Sequence, residues 1–348
     1  MISNAIEKLV SVIVPCYNSS STLIRCWNSI KSQTIGLNSI EVIFVDDASD
    51  DHNATWDLLL QIESECPNSV IILQLEHNSR QGGARNAALQ YIHGKYFMFL
   101  DSDDTFEVNA IKTLYQLAES TGSDMVLFNC TYCDDNGNSI PRVVYKLPMS
   151  LDLTDDEARR KVLLGDGLTY GCWDKFYRTD FYRSVGSLFP KNMIYEEPLF
   201  VYPLFLYARH VEIIPEYLYN YFIHPNSTVT ETAYHRRGDH PAVQLLLLNW
   251  LKKDRKTYLK YREEIMLYII WSTFVETLVF TKNDPKSDTA YQFYEYIRSI
   301  LFSEYPDYSK NKYICNMGYN NIFSYLSKPI DSSETLSKLN ALIKETFP

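Results

Sequence analysis

Short apolar runs alternate with segments of helical periodicity through the first third of the chain, and this alternation constrains the fold more than any other feature. The runs are Leu9–Val14 (LVSVIV), Glu41–Val45 (EVIFV), Val70–Leu75 (VIILQL), Tyr96–Leu100 (YFMFL) and Asp124–Asn129 (DMVLFN). Between them, Thr22–Gln33, Ala54–Ser64, Gly83–Ile92 and Val108–Ser120 carry helical patterns; in the first, Leu23, Cys26, Trp27 and Ile30 share one face. Apolar runs this short, without polar alternation, predict strands buried on both faces. Strand, helix, strand at this spacing calls for right-handed crossovers and a mostly parallel sheet covered by helices, so the fold class is α/β.

Open sheets of this kind place ligands beyond the carboxyl ends of their strands. Acidic residues collect at those ends: Asp46-Asp47 after EVIFV, and Asp101-Ser102-Asp103-Asp104 directly after YFMFL. Carboxylates crowded at a strand end repel one another unless a positive group joins them. Asp101 and Asp103, one residue apart, suit a hard divalent cation such as Mg2+ or Mn2+ that also takes phosphate oxygens. The plainer alternative is a solvated turn in which Asp103 or Asp104 caps the next helix. After VIVP, Pro15 ends the first strand, Tyr17 can stack near a base and Asn18 can hold the loop. Asp46 and Asp47 can accept from an imide N–H or ribose hydroxyls, or simply begin a turn.

In Asn78–Asn86 (NSRQGGARN), Gly82-Gly83 permit close backbone approach and a helix N-terminus attracts anions. Arg85 there can pair with a phosphate or with the carboxylates of the cleft, or form a structural salt bridge. The pattern is not GxGxxG, and no GxxxxGK[ST] loop occurs. Tyr195-Glu196-Glu197-Pro198 supplies a second acidic pair, able to orient an acceptor hydroxyl and take its proton. Taken alone, it reads first as the acidic first turn of an exposed helix. His224, followed by Ser227 and Thr228, is either a metal or phosphate neighbour or a structural histidine.

The chain has 348 residues, 46% of them hydrophobic, enough for one large or two modest domains. Its formal net charge of −10 provides no global basic field, so no nucleic-acid partner is expected. Seven cysteines, odd in number and irregular in spacing, fit a reducing compartment, and Cys130-x-x-Cys133 lacks the second pair of a zinc site. The N-terminus lacks the pattern of a secretory leader, so a cytoplasmic location is expected. Ile265–Phe280 is short for a membrane span, contains Glu276 and predicts a buried helix, with an interfacial helix as the second reading. Asp134–Gly137 (DDNG) predicts a turn and Asp155–Leu164 a helix. From His235 the pattern is helical, which places a boundary near Ala233–Gly238. The expected organisation is a domain over 1–233, with halves of about 9–130 and 131–233, and a helical region over 234–348. Lys252, Lys253, Arg255 and Lys256 form a basic run, read first as a solvated helix face and second as a lipid-phosphate contact. The helical region is expected to recognise the acceptor, mediate homo-oligomerisation or touch the membrane.

Taken in order, VSVIVPCYN, EVIFVDDASDD, NSRQGGARNAAL, GKYFMFLDSDD, WDKFYRTDF, YEEPLF and LYNYFIHPNST resemble the family 2 glycosyltransferases of bacteria, which have the GT-A fold. The resemblance covers roughly residues 9–230. It implies a Rossmann-like sheet, a nucleotide-diphosphate-sugar donor with UDP preferred, Mn2+ or Mg2+, and inversion at the anomeric carbon. By position, Pro15, Tyr17 and Asp47 would line the nucleobase pocket with Asp46 beside them and Asn18 in the adjoining loop, and Arg85 would lie near the base or diphosphate. Asp101-Ser102-Asp103 matches the DxD motif, with Asp103 the direct metal ligand and His224 on the metal side. Trp173 and Lys175 match a W-x-K element lining the sugar and acceptor. Glu197 stands where the family commonly has Asp, and is the expected base with Glu196 second. The implied activity is hexosyl or N-acetylhexosaminyl transfer to a hydroxyl of a glycan, lipid-linked or protein-linked acceptor in cell-surface polysaccharide or glycoconjugate synthesis. The implied place of work is the cytoplasm, with peripheral contact at the inner face of the membrane. Two other classes compete. A catalytically idle donor-binding subunit of a glycosyltransferase complex is favoured by the Glu-for-Asp change. A sugar-1-phosphate nucleotidyltransferase would need a Gly-rich basic loop after its first strand, which VIVPCYNSSS lacks.

Overall fold

A computed structural model of the chain describes residues 8–134, 138–165, 169–223, 238–283 and 288–347. His224, Ser227 and Thr228, with most of the expected Asp134–Gly137 turn and Ala233–Gly238 boundary, lie outside the described residues. The alternation expected at the start of the chain is present as β1 (Val10–Cys16), α1 (Leu23–Lys31), β2 (Ile40–Asp46), α2 (Ala54–Glu65), β3 (Val70–Gln74), α3 (Arg80–Leu89) and β4 (Tyr96–Phe99). Every residue of β1, β2 and β4 is buried, which is why these segments lack polar alternation. The inward stripe of α1 is the expected one: Leu23, Cys26, Trp27 and Ile30.

These strands are parallel in the order β3-β2-β1-β4, with Val12 flanked by Val42 and Met98. β1 runs past its expected end because pairing with β4 stops at Ile13 while β2 continues alongside to Cys16. The missing N–H of Pro15 therefore costs no bond on the β4 side. Gly94, just before β4, is required by packing: a Cβ there would stand 2.5 Å from the Ser11 nitrogen.

The sheet continues through β5 (Thr105–Phe106), α4 (Ala110–Thr121), β6 (Met125–Cys133), β7 (Ser139–Arg142), β8 (Met149–Asp152), α5 (Asp156–Leu163), β9 (Lys175–Arg178), α6 (Thr179–Val185), α7 (Glu197–Tyr207) and β10 (His210–Phe222). The full strand order is β3-β2-β1-β4-β9-β6-β10-β5, with β7 paired to β6 and β8 to β10. β9 lies antiparallel between β4 and β6, so the sheet becomes mixed beyond β4. α7 carries apolar residues around its whole circumference and is correspondingly buried.

The chain forms two compact units, one from the described residues of 1–159 and 167–231, the other from those of 160–166 and 232–348. The second is helical, with helices that include Asp239–Leu251, Ala290–Glu304 and Ser333–Thr346. The Ile265–Phe280 window is a buried helix in which Trp271–Glu276 is wound as a π-helix. Among the described residues no helix is long and apolar enough to cross a membrane. In the basic run, Lys253, Arg255 and Lys256 are exposed, while Lys252 pairs with Glu304. All seven cysteines are free thiols.

Candidate active site

β1, β2 and β4 end on one edge of the sheet, and β2 and β4 flank β1, so a crevice opens where the strand order reverses. On the β2 side, Pro15 is buried within β1 and Tyr17, just beyond it, is 46% exposed. Asn18, at a positive φ of 51°, donates to Asp50 Oδ1 at 2.6 Å and accepts the Asp50 N–H at 2.9 Å. The Tyr17 hydroxyl donates to the same Asp50 oxygen at 3.3 Å. Asp46 is buried and accepts from the Ser49 N–H and the Gln74 amide, both at 3.1 Å. Asp47 accepts the Ser79 N–H at 2.7 Å, and burial nevertheless pushes its carboxyl up to about 6.

On the β4 side, each residue of the acidic loop is tied to the surrounding structure. The Asp101 N–H donates to the Tyr219 hydroxyl at 3.2 Å, and its Oδ1 accepts from Arg85 at 2.7 Å. The Ser102 hydroxyl meets that of Ser19 at 2.7 Å. The Asp103 carbonyl accepts from Arg25 at 2.7 Å. Asp104 is turned inward, 1% exposed. Neither Asp103 nor Asp104 caps a helix, because α4 begins only at Ala110 with Asn109 at its cap position.

Arg85 joins this loop to the second acidic pair. Its guanidinium is 3% exposed, sits 5.4 Å from the Phe189 ring centroid and 5.7 Å from that of Phe99, and donates at 2.7 Å to both Asp101 and Glu196. Of the partners expected for Arg85, the structure supplies the cleft carboxylates. Glu196 is buried, while Glu197 opens α7, is half-buried and accepts the Cys172 N–H at 2.8 Å. Burial pushes both carboxyls above the ordinary glutamate range, against the pull of Arg85. The preceding Tyr195 has φ +60°, a costly conformation for a bulky residue that turns the chain into the helix. Gly82 explains the close approach of α3: a Cβ would stand 3.0 Å from Glu196 Cγ and from Phe189 Cβ. Arg85→Ala leaves Asp101 and Glu196 without their shared cation and should destabilise the fold by about 3–5 kcal/mol in chemical denaturation. Arg85→Lys, which keeps the charge but cannot bridge as a fork, should fall between the two.

A cavity of about 150 Å³ is lined by Arg85, Asp101, Trp173, Glu196, Glu197 and Tyr221 among others. Trp173 packs on Tyr219 at 4.9 Å and Tyr221 at 5.7 Å between ring centroids. Lys175 does not join this wall. It is fully buried, its ammonium held by Thr169, the Gly171 carbonyl and Asp174, so it secures the turn that carries Trp173. Tyr219, Tyr221, Tyr195 and Cys172 are site residues that sequence reasoning did not single out; the alternation in LYNYF, which puts Tyr219 and Tyr221 on one face, is the signal that could have found the first two. A larger, more open cavity of about 560 Å³ lies at the opposite strand ends. There Asp124 already holds Arg178 and the N–H groups of Arg209 and His210, so that acid serves the fold.

Among the described residues no group of three or more His, Cys, Asp or Glu is gathered around a cation position. Asp101, which lines the cavity, and Asp103, two residues on, carry hard carboxylate oxygens of the type that Mg2+ or Mn2+ takes beside phosphate and water.

The family described as Glycosyl transferase family 2 matches residues 11–180. Curated relatives include the poly(ribitol-phosphate) beta-glucosyltransferase of Bacillus spizizenii, 26% identical over 227 residues that make up 65% of this chain and 34% of that protein. Another is the poly(ribitol-phosphate) beta-N-acetylglucosaminyltransferase TarS of Staphylococcus aureus, 28% identical over 250 residues, 70% of this chain and 41% of that one. The chain thus spans well under half the length of these two relatives. The crystal structure of S. aureus TarS 1–349 in complex with UDP-GlcNAc superposes with a TM-score of 0.66 at 20% identity, over 97% of this chain and 91% of that one. The shared architecture is the GT-A fold with a C-terminal helical region. Residues 11–180, which span the parallel strands and the DSDD loop, are thus a domain of the glycosyl transferase family 2 type.

Proposed function

We propose that this chain is an inverting, metal-dependent glycosyltransferase that moves a hexosyl or N-acetylhexosaminyl group from a UDP-sugar to a hydroxyl of a cell-surface polymer of the poly(ribitol-phosphate) type. The names of the relatives support the polymer, and the nucleotide sugar bound to TarS supports the donor. The observation that carries the reading is the Arg85 bridge: one guanidinium, donating at 2.7 Å on each side, holds the DxD loop against the acidic pair that opens α7.

On this reading Tyr17 covers the base and Asp47 accepts its imide N–H, with Asp46 and Asn18 holding the two loops in place. Asp103 and Asp101 hold Mn2+ or Mg2+, which when bound offsets the charge of the diphosphate and of the departing nucleotide. Trp173 and Tyr221 wall the sugar side. Glu197 takes the proton of the acceptor hydroxyl as it attacks the anomeric carbon, and Glu196 keeps Arg85 in place. Holding donor and acceptor in line contributes much of the rate. The reading keeps a cytoplasmic location with peripheral contact at the inner membrane face, and assigns homo-oligomerisation to the helical region.

A panel of nucleotide sugars with Mn2+, scored for hydrolysis, transfer to poly(ribitol phosphate) and thermal stabilisation, tests this. UDP-GlcNAc or UDP-glucose should raise the melting temperature and turn over, because a ligand stabilises only the state it binds. Stabilisation with neither hydrolysis nor transfer would make the chain an idle donor-binding subunit. No response to any UDP-sugar would overturn the reading.

A further inference from the structure

The third carboxylate of the DSDD loop has no place in the reaction described above, yet it is the most buried acid of the loop. Asp104 Oδ2 accepts from the Tyr219 hydroxyl at 2.6 Å, and its Oδ1 accepts the Phe222 N–H at 2.7 Å. Its own N–H closes the loop on the Asp101 carbonyl at 3.0 Å. The Tyr219 hydroxyl is used twice, donating to Asp104 and accepting the Asp101 N–H at 3.2 Å. Tyr219 itself is fully buried, paired in the sheet with Phe106 and Cys130, and packed on Trp173. One phenol therefore contacts the backbone of Asp101, the buried Asp104 and the ring that walls the cavity.

We propose that Asp104 and Tyr219 are positioning residues, a clamp that fixes the backbone of the DxD loop on β10 so that Asp101 and Asp103 present their carboxylates as one cation site. This rests on the metal-dependent reading above. The clamp accounts for the acidic crowding at the end of β4: Asp101 lines the cleft, whereas Asp104 is turned inside, where a phenol O–H and a backbone N–H satisfy its oxygens. It also ties cation binding to the sugar wall, since a displaced Tyr219 releases the loop and loses its packing on Trp173 together.

Tyr219→Phe removes only the hydroxyl, leaving the ring contacts with Trp173 and Phe106. Asp104→Asn keeps an acceptor for the Phe222 N–H but places an amide against the phenol. Mn2+ binding to the full-length chain in the presence of UDP, followed by the EPR signal of free Mn2+, should weaken roughly 10-fold or more in each variant, the range for groups that orient metal ligands. In transfer assays the Mn2+ concentration at half-maximal rate should rise by the same factor, with most of kcat restored at saturating Mn2+. Phe106→Leu, which disturbs packing beside Tyr219 but no hydrogen bond of the clamp, should lower the melting temperature and leave Mn2+ affinity unchanged. Unchanged Mn2+ affinity in folded Tyr219→Phe and Asp104→Asn would overturn the clamp while leaving the metal reading intact. Failure of the parent chain to bind Mn2+ with UDP would overturn the metal reading, and the clamp with it.

Discussion

Glu197→Gln should reduce turnover by about 10²–10⁴-fold, the usual contribution of a general base, while donor affinity stays unchanged. Three features set this expectation. Glu197 lies at the N-terminus of an 11-residue helix, half-buried and facing the cavity. Its Oε1 is oriented by the Cys172 N–H. Burial raises its carboxyl above the ordinary glutamate range, which makes it a stronger acceptor near neutral pH. The sign of the pH dependence follows. Below the raised value Glu197 is protonated and cannot take a proton, so kcat should climb as pH rises through it, on a limb above the ordinary glutamate pKa. That limb should vanish in the residual activity of the glutamine variant. Glu196→Gln should behave differently: it removes a partner of buried Arg85, so the main loss should appear in stability. A Glu197→Gln enzyme with full kcat beside an inactive, folded Glu196→Gln enzyme would exchange the two roles.

Asp103→Ala should abolish metal-dependent transfer at every Mn2+ concentration while the protein stays folded. The loop is held through other atoms: Arg25 binds the Asp103 carbonyl, Ser19 binds Ser102, and Phe222 and Tyr219 bind Asp104. On the proposed reading, removing the Asp103 carboxylate takes away a hard oxygen ligand while these four contacts stay in place. Rate measurements across a Mn2+ series, with melting temperature as the control, check this. Full retained transfer would refute the ligand role.

The parallel half of the sheet was legible because burial on both faces leaves unbroken apolar runs, and β1, β2 and β4 are buried throughout. The stripe of α1 was legible for the same reason, since its inward positions repeat with the helix. The site was legible in its parts. Arg85 had two candidate partners, phosphate and carboxylate, and sequence separation could not choose: its actual partners lie 16 and 111 residues away. Lys175 was placed on the sugar wall only by its match to the W-x-K element, and the structure instead buries its ammonium against Thr169, Gly171 and Asp174. β9 begins at Lys175, so Trp173 belongs to the preceding turn and the two side chains need not share a face. Asp104 looked like its neighbours in the DSDD loop, and only tertiary structure shows that it turns inward to Tyr219, 115 residues on.

The central claim is that the acids at the sheet edge are a cation and diphosphate site facing a base on α7. Crystals grown with Mn2+ and UDP, with manganese located by its anomalous scattering, test it most directly. The account predicts manganese in coordination contact with Asp103 and the diphosphate, the uracil beside Tyr17 and Asp47, and Glu197 across the cavity. Manganese or nucleotide bound away from this edge, for instance among Arg178 and His210 at the opposite strand ends, would contradict it.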